Sequence, residues 1–326
     1  MKTVTQATYL GDVISENGTI DQTILQRSQR ACGITSQISS MLNSICLGSF
    51  HFDIAMVLRD AKFVNSIMTN SEVWHNVQQN HIENLEKLDL NLLRKIMNGH
   101  SKTAKEAFFL ELGIYPLRYV LAKRRFMYLW HILHREKTEL IRKMYESQKC
   151  NYNKGDWGLI LEEERRKYNL TLSDQEIANL SREKFKTIVS AKIQSHAFNY
   201  LKQLANKHSK SENIAKSDNL QKKAYFSDRR FSREDVQLLF ALRTKMIDCK
   251  TNFREQFHQR LQCRICKEPN SIENEDHLLT CSVLNNANSE VNFSDVYGDI
   301  DHQYKATQAF KSVIRRRKVF LDVMDK

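Results

Sequence analysis

Four residues near the end of this chain constrain its folding more than any others: Cys263-x-x-Cys266, ten further residues, then His277-x-x-x-Cys281. Thiolates and an imidazole at this spacing close around one tetrahedral zinc ion. Catalytic zinc keeps a coordination position for water, whereas four protein ligands fill the shell, so the pattern predicts a folding staple rather than a hydrolytic centre. The paired cysteines suit a knuckle turn, and the four-residue step from His277 to Cys281 spans one helical turn. The gap between the pairs is longer than in retroviral knuckles and leaves room for a turn at Pro269-Asn270. A competing reading makes these residues buried thiols of a helical core. The basic neighbours Arg254, Arg260, Arg264 and Lys267 weigh against it.

A staple is not needed for lack of size, because 326 residues can build an ample core. Only two prolines and nine glycines punctuate the chain, which predicts long helices and a mainly α fold. The net charge of +12 favours a polyanionic partner such as RNA or DNA, although a merely soluble basic protein fits the charge equally well. No apolar run exceeds five residues, too few to span a bilayer, and the first residues lack the apolar core of a signal peptide. The expectation is no membrane and a place in the cytoplasm or nucleus. Seven cysteines suit that reducing setting, three as metal ligands and Cys32, Cys46, Cys150 and Cys249 as unpaired thiols.

Along the chain, Thr8 to Ile14 reads as a strand and Asn17-Gly18 as a hairpin turn, an orphan edge at the head of a helical protein. A helix from Asp21 would bury Ile24, Ala31, Ile34, Ile38 and Met41, and a second would run from Phe52 to Asn65. A third carries Ile82, Leu85, Leu88, Leu92 and Ile96 inward with Glu83, Glu86, Lys87 and Lys95 outward. Gly113 ends a helix and Pro116 helps to start the next. That helix mixes bases with aromatics from Lys123 to His131, which suits either a phosphate-tracking surface or a basic helix with a buried aromatic side. The pattern lapses at Cys150 to Gly155, the best linker. Ser173 with Glu176, Ser181, and Ser232 with Asp235 mark three further helix starts. The polar stretch His208 to Asp228 reads as a mobile loop, and Arg315-Arg316-Arg317-Lys318 lies in a closing helix.

Several motifs occur in a particular order: Tyr9-Leu10-Gly11-Asp12-Val13-Ile14, Asn70-Ser71-Glu72-Val73-Trp74, Leu93-Arg94-Lys95-Ile96, Leu110-Glu111-Leu112-Gly113 with Pro116, and Arg124-Arg125. Asp156-Trp157, Phe185-Lys186, His208-Ser209-Lys210, Phe253-Arg254 and the Cys-Cys-His-Cys site follow. The order resembles the region after the polymerase palm in non-LTR (LINE-like) retrotransposon reverse transcriptases. That resemblance implies a palm-edge hairpin over 1–20, a thumb and connector helical region over 21–150, a helical linker region over 151–228 and a helical zinc-knuckle region over 229–326. It implies a role in placing template RNA or primer-template, with Lys123, Arg124 and Arg125 on the thumb-like side and Arg264 and Lys267 at the knuckle as nucleic-acid contacts.

The departures bear on activity. Polymerases of that family hold two metal ions with an adjacent Asp-Asp pair, and this sequence contains no such pair. The expectation is a noncatalytic nucleic-acid-binding C-terminal portion whose palm lies elsewhere. Asp299-x-Asp301 reads as an exposed turn rather than a metal site. The alternative is a host protein derived from the element, serving as a zinc-binding interaction scaffold. A weaker third reading, an enzyme using His131, His134 or Cys249, competes with plain interface or core histidines.

Overall fold

A computed structural model describes residues 5–9, 12–16, 19–44, 51–75, 77–150, 155–257, 260–284 and 291–324. The fold is mainly helical with one two-stranded antiparallel sheet. It divides into two compact units: one is Met1–Ser44, Ala55–Leu92 and Ile114–Leu201, the other Ile45–Ile54, Leu93–Gly113 and Lys202–Lys326. None of the described helices is long and apolar enough to cross a membrane.

In the first unit, strands β1 (Gln6–Tyr9) and β2 (Asp12–Ser15) pair with Tyr9 opposite Asp12. Two residues therefore join the strands, the loop length that hairpins favour. The expected single strand from Thr8 to Ile14 is instead two strands, and the reversal precedes Asn17-Gly18, which with Leu10 and Gly11 lies outside the described residues. The sheet is clamped by the helix Asp21–Ser44: the Val13 amide donates to Thr23 Oγ1 at 2.9 Å, and Arg27 pairs with Asp12 at 2.7 Å. That helix buries Ile24, Ala31, Ile34 and Ile38 as its spacing predicts, but Leu42 closes the stripe. Met41 faces solvent because the step from Ile38 is four residues.

The second helix is not uniform, since His51–Leu58 passes into a π-helical turn, Arg59–Val64, before Asn65–Ile67. Within that turn Arg59 reaches a fully buried Asp89 on the helix Gln79–Met97, with both carboxylate oxygens bonded at 2.7 and 2.5 Å. Leu85 and Leu92 are buried on the same helix as expected, but Glu86 does not point to open solvent. It takes two bonds from the Arg118 guanidinium and one from the Arg118 amide. The segment between Met68 and Trp74 makes only a short 3-10 turn, Ser71–Val73, so side chains supply donors that its backbone lacks. Arg27 donates to Thr69 O, Arg124 to Met68 O, Trp157 to Glu72 O and Arg125 to Trp74 O.

In the second unit, the helix Lys105–Leu112 ends at Gly113 in the left-handed region, φ +66°, as its sequence predicts. A Cβ at Gly113 would lie 2.1 Å from the Lys222 amide nitrogen, and the Lys223 amide donates to Glu111 O at 3.0 Å. The Glu111 side chain is fully buried. It accepts two bonds from Arg243, at 3.0 and 2.9 Å, and one from the Tyr225 hydroxyl at 2.7 Å. The stretch from His208 to Asp228 is thus not the mobile loop its composition predicts. It carries a short helix, Glu212–Ala215, and a 3-10 turn, Ala224–Phe226, and buries Ile214, Tyr225 and Phe226. Those few apolar residues outweigh the polar majority because each removes a large surface from water. The Ser232 capping box opens the helix Arg233–Arg243 as expected, and Lys311 on the closing helix Ile300–Met324 pairs with its Asp235 at 2.6 Å.

Candidate metal centre

Residues 262–272 form a small hairpin: Gln262 and Ile272 bridge antiparallel, and the Cys263 amide donates to Ser271 O at 2.8 Å. Its tip is the turn anticipated at Pro269-Asn270, where the Ser271 amide donates to Glu268 O and Asn270 takes φ +66°. Proline at the second position and asparagine with positive φ at the third match a type II turn. Behind the tip, Lys267 also has positive φ, and the Ile265 amide points at Cys263 Sγ, 3.4 Å away. An amide aimed at a cysteine sulfur stabilises the thiolate that a metal requires. The chain then enters the helix Glu275–Thr280, capped by Asn274, whose side chain accepts from the His277 amide at 2.7 Å. His277 projects from the first turn of this helix and Cys281 follows its last residue.

The ligand atoms of Cys263, Cys266, His277 and Cys281 all lie within 4.8 Å of one another, close enough to hold a metal ion. Cys266 Sγ and His277 Nε2 are 3.5 Å apart. Burial pushes the Cys263 thiol up to about 11. At Cys266 burial acts the same way, but hydrogen bonds from the Glu268 amide and the Ser271 hydroxyl prevail and hold the thiol below its usual range. Cys249 is buried near the cluster without belonging to it, its thiol raised to about 12 by burial and then by Glu275.

The cluster is braced from beneath by a residue that the sequence does not single out. Glu273 is fully buried and accepts from Arg264 Nε at 3.0 Å and Arg317 Nη2 at 2.8 Å. Burial opposes its charge, yet Arg264 and Arg317 hold the carboxyl below its ordinary range. Asn252 is a second unforeseen brace, donating to Ile247 O, Cys249 Sγ and Glu275 Oε1. Spacing carries no signal for either, since Glu273 meets Arg317 across 44 residues.

The five candidate nucleic-acid contacts fall into different settings. Arg125 is buried, paired with Glu164 at 2.6 Å and bonded to Trp74 O. Arg124 donates to Met68 O and Asn65 Oδ1, and Lys123 is half-buried, its ammonium pKa lowered by burial and by Lys186. Arg264 is occupied by Glu273 and by Asp248 at 3.0 Å, and its guanidinium lies over the Phe257 ring. Lys267 is exposed. His131 and His134 are exposed rather than buried: His131 bonds Arg135 through Nε2, and His134 stacks on Trp130 at 3.9 Å. Asp299 is exposed and caps the closing helix by accepting from the Asp301 and His302 amides. Comparison of the chain with family profiles, with curated proteins and with solved structures returned no match.

Proposed function

We propose that the chain is a noncatalytic nucleic-acid-binding protein whose Cys3His cluster takes zinc, and that it corresponds to the C-terminal portion of a non-LTR retrotransposon reverse transcriptase. The observation that carries the reading is the closed Cys3His cluster on a chain of net charge +12. Three sulfurs and one imidazole nitrogen suit zinc's soft tetrahedral preference, for which donor separations of roughly 3.5–3.8 Å follow from its bond lengths. Cys266 and His277 already stand at 3.5 Å. Zinc would fix the hairpin to the following helix. With four protein ligands it offers no water for hydrolysis.

The reading is tested by titrating the zinc-loaded chain into labelled RNA, DNA and primer-template duplex over a range of salt. Phosphate contacts release counterions, so affinity should fall linearly on a log-log plot with salt. Purified chain should extend no primer with magnesium or manganese. Failure to bind any nucleic acid at low salt overturns the reading. A second reading, an element-derived interaction scaffold, draws on the internal engagement of Arg124, Arg125 and Arg264. It is favoured if the chain captures no nucleic acid yet keeps its zinc.

A further inference from the structure

Not all the basic residues that stand out in the sequence are left positive by the fold. Arg125 and Arg264 are paired with carboxylates. Beside the metal centre, in the second unit, two clefts of about 770 and 650 Å3 share Lys245, Asp276 and Phe293 and so adjoin one another. Seven basic residues line them against three acids, one of the seven, Arg243, being already paired with Glu111. Three of those lysines bond neutral acceptors: Lys210 donates to Asn252 O, Lys216 to Asn213 Oδ1 and Lys223 to Ser217 Oγ. Lys102 stands 4.0 Å from Glu255. Their charges are therefore incompletely neutralised within the fold, and the walls focus that charge inward.

The first cleft also carries an aromatic surface. Phe253 sits at a kink with non-helical φ and ψ, half-exposed, and the exposed His100 ring lies 5.1 Å from it. Lys210 Nζ lies 5.2 Å from the centre of the Phe253 ring. Phe293 lines both clefts. Rings set among ammonium groups along a groove match the demands of an unpaired polynucleotide, in which phosphates need cations and each base has a face to stack. Bases of a duplex are stacked on one another, so a ring in the groove can stack on a base only where the strand is unpaired. Burial and then the Lys102 charge lower the Lys210 pKa, a strain that a bound phosphate would relieve.

We infer that these adjoining clefts form a binding groove for single-stranded nucleic acid, with Lys102, Lys210, Lys245 and Lys216 tracking phosphates and Phe253 stacking a base. The inference rests on the nucleic-acid reading above and narrows it to one groove and one strand state.

The test uses the full zinc-loaded chain and fluorescein-labelled 12-mers of uridine and thymidine, with a 12-base-pair duplex alongside. Lys102→Glu with Lys216→Glu reverses one exposed charge in each cleft. Lys184→Glu with Lys192→Glu, exposed on the helix Arg182–Ala205, makes the same change in net charge elsewhere. The groove pair should lose about ten-fold or more in single-strand affinity and lower the salt slope by roughly 1.4, at ~0.7 for each lost phosphate contact. The control pair should stay within about three-fold. Phe253→Leu keeps apolar bulk without the π face and should cost roughly five-fold or more with the salt slope unchanged. Equal losses from the two charge pairs, no loss from the groove pair, or duplex binding as tight as single strands would overturn the inference while leaving the broader function standing. No binding of any probe overturns both.

Discussion

Both units set arginine against buried carboxylates, Arg59 against Asp89 in the first, but the first also uses arginine on its backbone. In the first, Arg27, Arg124 and Arg125 reach carbonyls of the segment from Met68 to Trp74, so cations complete an irregular backbone. In the second, two fully buried carboxylates are the focus: Glu111 gathers Arg243 and Tyr225, and Glu273 gathers Arg264 and Arg317. Removing a donor to a carbonyl leaves an unsatisfied dipole, whereas removing one partner of a buried pair strands a charge. Asp89 in the first unit and Glu111 and Glu273 in the second should therefore be the brittle points, and the carbonyl-binding arginines the more tolerant ones. The second unit also holds the metal cluster, whose ligands come from 263 to 281.

The largest expected effect is metal removal. Structural zinc contributes about 10–16 kcal/mol to isolated finger peptides, and here its loss should strip amide protection from 262–281 while the helix core at Leu85 stays protected. Hydrogen exchange with and without chelator, and with Cys263→Ser, reads this directly. Equal loss in both units would break the contrast. Next, Glu111→Ala strands Arg243 and should cost about 3–5 kcal/mol in chemical denaturation, while Glu111→Leu with Arg243→Met should recover most of it. A double variant as unstable as the single would show that packing, not charge, is at stake.

Arg125→Ala in the first unit should cost less, about 2–3 kcal/mol. Its partner Glu164 already has a pKa raised by burial against the pull of Arg125, so it can shed its charge by protonation once alone. Replacing Lys123, Arg124 and Arg125 together would thus disturb the fold, and a binding loss in that triple variant says nothing of phosphate contact unless circular dichroism and melting are unchanged. The smallest effect concerns pH. Burial opposes the Asp235 charge, but Lys311 and Ser232 hold the carboxyl below its ordinary value. Its stabilisation is therefore present above the unfolded pKa, about 3.9, and is lost as pH falls through the lower folded value. Asp235→Asn should remove about 1 kcal/mol at pH 7 and flatten this acid limb. An unchanged limb would place the acid sensitivity elsewhere.

What could be read from sequence was what neighbouring residues decide. The Pro269-Asn270 turn, the caps at Ser173 and Ser232, the end at Gly113 and the gathering of four metal ligands all lie within short spans whose geometry is local. The single strand expected from Thr8 to Ile14 is two paired strands, because β propensity marks extended residues without recording that Tyr9 comes to pair with Asp12. Met41 and Glu86 went astray because periodicity marks a face only to within one residue and ignores a distant Arg118. Glu111, Glu273 and Asp89 were illegible for a deeper reason. A carboxylate looks solvent-bound until a partner tens of residues away neutralises it, and no composition or period records that partner. The run Lys123-Arg124-Arg125 shows the converse, a basic cluster in sequence of which the fold turns Arg124 and Arg125 to inner acceptors.

Gly113 illustrates how a genetic experiment would perceive this molecule. With a neighbouring amide 2.1 Å from where any side chain would begin, and φ at +66° besides, every non-glycine allele must push the segment Gln221–Lys223 away from the helix end and loosen the bond that the Lys223 amide makes to Glu111 O. A saturation screen would record the position as wholly intolerant, as it would a catalytic residue. The intolerance is that of a crossing where two backbones pass too closely for anything but hydrogen.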